Sequence, residues 1–397
     1  MRQAEDNFDV VIAGGGVIGS AVAYFLASEP DFDGRILVCE PDPSYRFAAS
    51  ALSASSIRQQ YSTAINIDIS LYGIAFLREV GERLAVDGDR PEIGLKEGGY
   101  LFLATETGAR QLRENHELQT ARGADIALMT PDELQGRFPW LSVEGIAAGS
   151  WGRTGEGWFD GYGLMQAFRR KARSLGVEYR AARVVDVEVA GGRVIGAVLD
   201  DGAGIACGAF VNAAGASGAR ALCAPFGLTP PIEARKRMVF YFDCRDEVAG
   251  CPLLIEPGGA YVRPEGKGFI CGAAPGPEND PEAEGDFEVE HGFFEEVLWP
   301  TLAARVPAFE TIRPGRAWAG HYDMNLFDHN AFVGRLPGHD NAFIAAGFSG
   351  HGLQQSPAVG RGLAELIVHG AYRSLDLEPL AYDRLIENRR LVEKNVV

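Results

Sequence analysis

Asp9–Ala13 (DVVIA) is a continuous apolar, β-branched run, the pattern of a parallel strand buried on both faces. GGGVIGSAVAYFLAS follows as a glycine turn opening a helix that Pro30 stops, and Ile36–Glu40 (ILVCE) reads as a second buried strand. These segments predict one βαβ unit. From Asn66 to Ala85, the residues Ile67, Leu71, Ile74, Leu77 and Leu84 keep helical spacing. Thr130–Phe138 carries a capping box, with Thr130 as cap, Pro131 first and Glu133 third. Between Tyr179 and Ala214 the period falls to two, with Gly191-Gly192 as a hairpin turn. Alternating short strands continue through 232–274, and 275–286 (PGPENDPEAEGD) is an acidic loop without a motif. The chain is expected to close on a long helix after a second glycine-rich turn. Glycine turns near both ends predict one nucleotide domain built from both termini, with a sheet-rich domain inserted between.

Composition narrows the function. The chain has 397 residues, 37 Lys+Arg against 54 Asp+Glu, and a net charge of −17. That balance argues against nucleic acid and against anionic lipid surfaces, both of which select basic patches. The length suits two or three domains with a core that needs no staple. The cysteines Cys39, Cys207, Cys223, Cys244, Cys251 and Cys271 include no C-x-x-C pair and read as reduced thiols. The uncharged stretch Val10–Ser28 has membrane-span length, but Gly14, Gly15, Gly16 and Gly19 make it strand, turn and helix. The acidic opening MRQAEDNFD is expected to be neither a secretory nor a mitochondrial leader. The expectation is a cytoplasmic small-molecule enzyme without an integral membrane segment, peripheral association at an inner membrane face being the alternative.

Gly14-x-Gly16-x-x-Gly19, with Glu40 twenty-one residues beyond, is the strongest motif. Gly14 permits the tight turn, Gly16 lets the backbone approach a pyrophosphate, and Gly19 lets the helix pack on the strand. The helix N-terminus then meets the anion, and Glu40 accepts from ribose hydroxyls. This motif does not separate FAD from NAD. The stretch 347–367 (GFSGHGLQQSPAVGRGLAELI) favours flavin, because a second helix N-terminus stabilises negative charge developing on the reduced ring. The seven histidines show no metal spacing, so no metal is expected, and there is no G-x-S-x-G elbow or GK[ST] loop.

Four blocks, DVVIAGGGVIGSAVAYFLA, ILVCEPD, VNAAGASG (Val211–Gly218) and IAAGFSGHG (Ile344–Gly352), carry a resemblance. The chain resembles the D-amino-acid oxidase superfamily of flavoproteins, especially its sarcosine and glycine oxidase branch. Through SIRQQYS, KRMVFYFDC, VPAFET, WAGHYDMNLFDHN and GFSGHGLQQSPAVGR it also resembles the group named FAD-dependent oxidoreductase domain-containing protein 1. The resemblance implies an α/β FAD-binding domain, Rossmann-like and of glutathione-reductase type, assembled from 1–90, 142–225 and 325–397. An antiparallel β-sheet substrate domain (α+β) is expected from 91–141 and 226–324.

The resemblance also implies site residues. FAD, bound without a covalent link, is expected at Gly14, Gly16, Val17, Ile18, Gly19, Glu40, Ala214, Gly215, Gly347, Gly350, His351, Gly352 and Leu353. Arg58 is expected to clamp a substrate carboxylate, with Tyr61 and Tyr261 beside it. Gln354 is expected to line the site where relatives carry lysine, and Tyr322 replaces an arginine of other relatives. His321 aligns with a flavin-tethering cysteine, and Ile270 replaces a lysine that aids reaction with oxygen. His351, if protonated, is a possible source of that missing charge. The implied reaction is oxidation of the C–N bond of an amino acid or N-alkyl amino acid to an imine by hydride transfer to flavin N5. Electrons then pass to O₂, a quinone or an electron-transfer protein. The alternatives are a 2-hydroxy-acid or polyol-phosphate dehydrogenase, and a flavoprotein assembly factor of a respiratory complex.

Overall fold

The computed structural model describes residues 7–395. The apolar runs pair as their composition dictates: strand Asn7–Ala13 lies between Ile36–Glu40 and Gly204–Asn212, parallel to both. Ala342–Ala346 extends the sheet in parallel beyond Gly204–Asn212, Phe332–Arg335 adds an antiparallel edge, and Glu178–Ala181 closes the other side. The helices Val17–Ala27, Gly161–Ser174 and Gly352–His369 bury their apolar faces together against this sheet. Gly360 permits the closest approach, since a Cβ there would lie 2.8 Å from the Ala21 backbone. Tyr24, Phe25, Phe76 and Phe168 fill the seam, with Phe76 and Phe168 stacked at 5.4 Å. Gly191 and Gly192 both have positive φ (59° and 76°), the geometry of a primed turn, and they join Val184–Ala190 to Arg193–Leu199 as expected. The capping box at Thr130 and Glu133 forms as well.

The second sheet has eight strands. In spatial order they are Ile312–Asn325, Ile232–Cys244, Gly268–Gly272, Tyr261–Glu265, Leu253–Ile255, Tyr100–Ala104, Ala148–Gly152 and Ile126–Met129. Neighbours run antiparallel except Leu253–Ile255 against Tyr100–Ala104. One face packs Phe240, Phe242 and Phe269 against Phe294 and Phe309, and on the other Tyr100, Phe102, Leu253 and Ile255 cluster with Ala109 and Leu112 of the helix Glu106–Ala121.

Three details depart from the sequence expectation. Ala148–Gly152 (AGSWG) pairs with Tyr100–Ala104 and Ile126–Met129, so the second sheet takes residues beyond 142. Small residues let this strand pack closely: a Cβ on Gly149 would meet Leu134 at 2.8 Å. The helical pattern of 66–85 is split into Ala64–Arg78 and Val80–Arg83. The chain also runs on past the long helix. That helix stops at left-handed Gly370, and the following residues return to the loop at 58–66. There Glu393, fully buried, accepts from the Ser62 backbone and hydroxyl, the Thr63 hydroxyl and the Asn66 amide, at 2.7–3.0 Å.

Candidate active site

A cavity of about 550 Å³ opens where the C-terminal ends of the first-sheet strands face the second sheet. Its near wall is the first glycine turn. Gly14 has φ +98°, and a Cβ there would lie 2.3 Å from the Ala213 carbonyl oxygen. Gly16, Val17 and Ile18 line the cavity at the start of the first helix, where Val17 N–H donates to Ser50 Oγ at 3.1 Å. The Glu40 carboxylate accepts from the backbone N–H of Gly15 at 2.9 Å and of Asp42 at 3.0 Å, while burial raises its pKa. Ala214, Gly215, Gly350, Gly352 and Leu353 complete this half.

Three expected cofactor residues lie behind the lining. Gly19 packs so tightly that a Cβ would come within 1.9 Å of the Gly14 carbonyl oxygen, so it serves helix–strand contact. Gly347, at φ +80°, donates its N–H to Asp323 Oδ2 at 2.8 Å and shapes the second turn. His351 is buried, and its Nε2 meets Arg58 Nη2 at 3.1 Å. Burial and the Arg58 charge push its pKa well below the imidazole range. His351 is therefore neutral and is not the source of charge that protonation would have made it.

The far half of the cavity belongs to the second sheet. Tyr261, Tyr322, Arg237, Asp323 and His321 all line it. The Tyr322 ring fits under Gly350, where a Cβ would lie 2.4 Å from the ring. The Arg237 guanidinium stands 5.3 Å from the Tyr322 ring centroid and holds Asp280 with two nitrogens, at 2.7 and 2.9 Å. Burial raises the pKa of both tyrosines, so both present neutral hydroxyls. Burial also lifts Asp323 to about 6, against the hydrogen bonds it accepts from Gly347 and Phe348.

Of the four residues expected to hold substrate, only Tyr261 lines the cavity. Arg58, Tyr61 and Gln354 form a buried cluster away from its lining. The terminal nitrogens of Arg58 are taken by the Gln60 and Asn395 carbonyls and by His351, and its charge lies 4.1 Å from the Tyr61 ring centroid. Gln354 Oε1 accepts from the Arg58 backbone N–H at 2.9 Å. Glu156 sits beneath, accepting from the backbones of Gln59 and Gln60 and the Gln60 amide. Burial raises its pKa to about 7. Both terminal nitrogens of the guanidinium are thus engaged by its own chain, which is why an arginine at this position need not face the cavity.

Ile270 is buried, and across the ladder lies Arg263, whose guanidinium bonds the Ala54 carbonyl. A cation therefore stands one strand from the position that lacks lysine. His321 Nε2 lies 2.7 Å from the Asp286 carbonyl oxygen, and its ring stacks on Phe287 at 4.2 Å. Arg237, Asp323 and Ser50 were not singled out from the sequence. For the first two a signal existed: Asp323 is a charge between Tyr322 and Met324 inside a strand, and Arg237 is the last of three consecutive cations before the apolar run MVFYF.

Residues 9–366 match the family described as DAO, FAD dependent oxidoreductase. The chain belongs to this family, and its cofactor is FAD. It is 42% identical over 426 residues to FAD-dependent oxidoreductase domain-containing protein 1 of Xenopus laevis, covering 99% of this chain and 85% of that protein. Glycine oxidase of Geobacillus kaustophilus is 29% identical, with 96% and 98% covered. Among solved structures, L-proline dehydrogenase from P. horikoshii superposes with a TM-score of 0.84 at 27% identity, covering 97% and 99% of the two chains. The residues present fit the cofactor. Turns without Cβ atoms border the cavity, the first-turn residues Gly16, Val17 and Ile18 line it, and an acid bonded to the Gly15 backbone closes the turn. Among the described residues no helix is long and apolar enough to cross a membrane.

Proposed function

We propose that the chain oxidises the C–N bond of an amino acid or N-alkyl amino acid to an imine. One observation carries this reading: a single cavity joins the glycine turn and helix start at Gly14–Ile18 to a wall of Tyr261, Tyr322 and Arg237. FAD supplies the hydride acceptor when bound. Relatives named glycine oxidase and 4-methylaminobutanoate oxidase, and a solved structure named L-proline dehydrogenase, support an amine bearing a carboxylate as the substrate class.

The chain's own residues have three tasks. Gly14, Gly16, Val17, Ile18, Glu40, Ala214, Gly215, Gly350, Gly352 and Leu353 would hold the cofactor without a covalent link. His321 is committed to the Asp286 carbonyl and the Phe287 ring. Arg237 and the neutral hydroxyls of Tyr261 and Tyr322 would orient the carboxylate, leaving the amine lone pair and α-hydrogen directed inward. Asp323 holds the Gly347 turn, and Arg58, near enough to Tyr322 to act on it electrostatically, supports the wall from behind.

The test is anaerobic reduction of the bound flavin by panels of α-amino acids, N-methyl amino acids and 2-hydroxy acids. Bleaching by amines is expected. Bleaching by hydroxy acids alone would replace the reading with the hydroxy-acid one.

A further inference from the structure

The acidic run at 275–286 has a partner in the fold: three consecutive cations. Strand Ile232–Cys244 is free along one edge before Phe240, where its pairing with Gly268–Gly272 begins. The acidic run covers part of that edge. Ala283 N–H donates to the Ala234 carbonyl at 2.9 Å, and Glu282 pairs with Arg235. Asp280 takes both terminal nitrogens of Arg237, and its carbonyl accepts from Arg235. Lys236 Nζ reaches Asp286 at 2.7 Å and Glu290 at 2.9 Å, and Arg220 reaches Glu282 at 3.1 Å. Phe287 then lies 4.2 Å from the His321 ring and 4.7 Å from Phe47, spanning from the second sheet to the first domain. Glu284, Gly285 and Phe287 line the cavity. The segment is a roof held largely by ion pairs.

The fork that Asp280 occupies is the one a ligand carboxylate would take, because two parallel N–H···O bonds fit guanidinium to any carboxylate. Arg237 lines the cavity and is about nine-tenths buried, with a side-chain exposure of 10%. Asp280, at 18%, lies nearer to water.

We propose that Asp280 is an internal counterpart of the ligand's carboxylate, and that ligands enter by carboxylate exchange at Arg237. The two oxygens of the incoming carboxylate replace those of Asp280, which returns to water, and the 279–290 roof lifts. Charge at Arg237 is conserved: one carboxylate leaves as another arrives, so no buried cation is left unpaired. Ligand binding and roof opening are one equilibrium, and a ligand shifts it by as much as it prefers the open state. The ligand class is a monocarboxylate. Its identity as the substrate rests on the function proposed above; the exchange does not.

The experiment uses the flavin-loaded protein at fixed ionic strength, titrated with benzoate or acetate and with chloride as the control. Flavin absorbance reports binding, and amide hydrogen exchange reports the 279–290 segment. Benzoate, and not chloride, is expected to speed exchange in that segment. Asp280→Asn is expected to raise its exchange without ligand and to tighten benzoate binding at least threefold. Arg237→Met is expected to abolish the benzoate response while retaining flavin. Slower or unchanged exchange at saturating benzoate, weaker benzoate binding by Asp280→Asn, or no binding of either carboxylate would each overturn the proposal. Carboxylates that lift the roof while no amine reduces the flavin would overturn the proposed reaction and leave the exchange standing.

Discussion

Arg58 Nη2 donates to His351 Nε2 across 3.1 Å, a bond that requires the imidazole to accept there and so to carry its proton on Nδ1. Two distant parts of the chain meet in this contact, the loop after the second strand and the cap of the long helix. The pair acts as a buried brace. Arg58→Met would leave the Gln60 and Asn395 carbonyls and His351 without their donor. A loss of about 2–4 kcal/mol in folding stability is expected, measured by denaturant unfolding. Carboxylate affinity of the flavin-loaded variant at low temperature should change less than threefold. A drop of more than tenfold with stability intact would return Arg58 to the role of direct anchor.

Gly350→Ala places a methyl where the Tyr322 ring now lies, at a φ of +90° that alanine adopts only under strain. The variant should bind carboxylates at least tenfold more weakly. Tyr322→Phe, which keeps the ring and removes the hydroxyl, should weaken them by the worth of one hydrogen bond, roughly fivefold. Equal effects of the two substitutions would mean that the ring's position is immaterial.

Stability should fall with rising pH on account of two buried carboxyls. Glu156 is raised from 4.5 to about 7 and Asp323 from 3.8 to about 6. Because the folded pKa lies above the unfolded one, each contributes stability that is full below about pH 4. That contribution is lost as pH climbs through about 6 to 7. Glu156→Gln keeps Oε1 for the Gln59 and Gln60 backbone N–H groups, gives up the acceptor of the Gln60 side-chain amide, and removes the titration. Unfolding free energy measured from pH 5 to pH 8 should decline less in the variant, by an amount of order 1–3 kcal/mol. Parallel pH profiles would show that Glu156 is ionised throughout.

Acid precipitation should release FAD into the supernatant, because His321 is engaged by Asp286 and Phe287. Gly14→Ala should yield colourless protein: its Cβ would collide with the Ala213 carbonyl oxygen in the turn that approaches the cofactor. Flavin retained in the pellet, and lost from it in His321→Ala, would point to a covalent link.

The first βαβ unit was readable because its determinants are local: a β-branched run, glycines at fixed offsets, and an acid at the next strand's end. The Gly191-Gly192 hairpin and the Thr130 cap were readable for the same reason. Ala148–Gly152 was missed because small residues give no strand-like hydrophobic period. The cavity's far wall was hidden more deeply. Arg58, enclosed by backbone carbonyls, lies away from the cavity, whereas Arg237, paired with a carboxylate, lines it. Those partners, Asn395 for one and Asp280 for the other, lie 337 and 43 residues away. No local pattern encodes such pairings.

Glu393, held by Ser62, Thr63 and Asn66, closes a loop of more than 300 residues. At synthesis rates of roughly 5–20 residues per second, the 331 residues that separate Ser62 from Glu393 take roughly 20–60 s to follow it out of the ribosome. Throughout that interval the 58–66 loop lacks the acceptors for its Ser62, Thr63 and Asn66 donors. The bonding of that loop is therefore completed only after the long helix and the turn before it have been made, although the loop itself is among the first parts of the chain to appear.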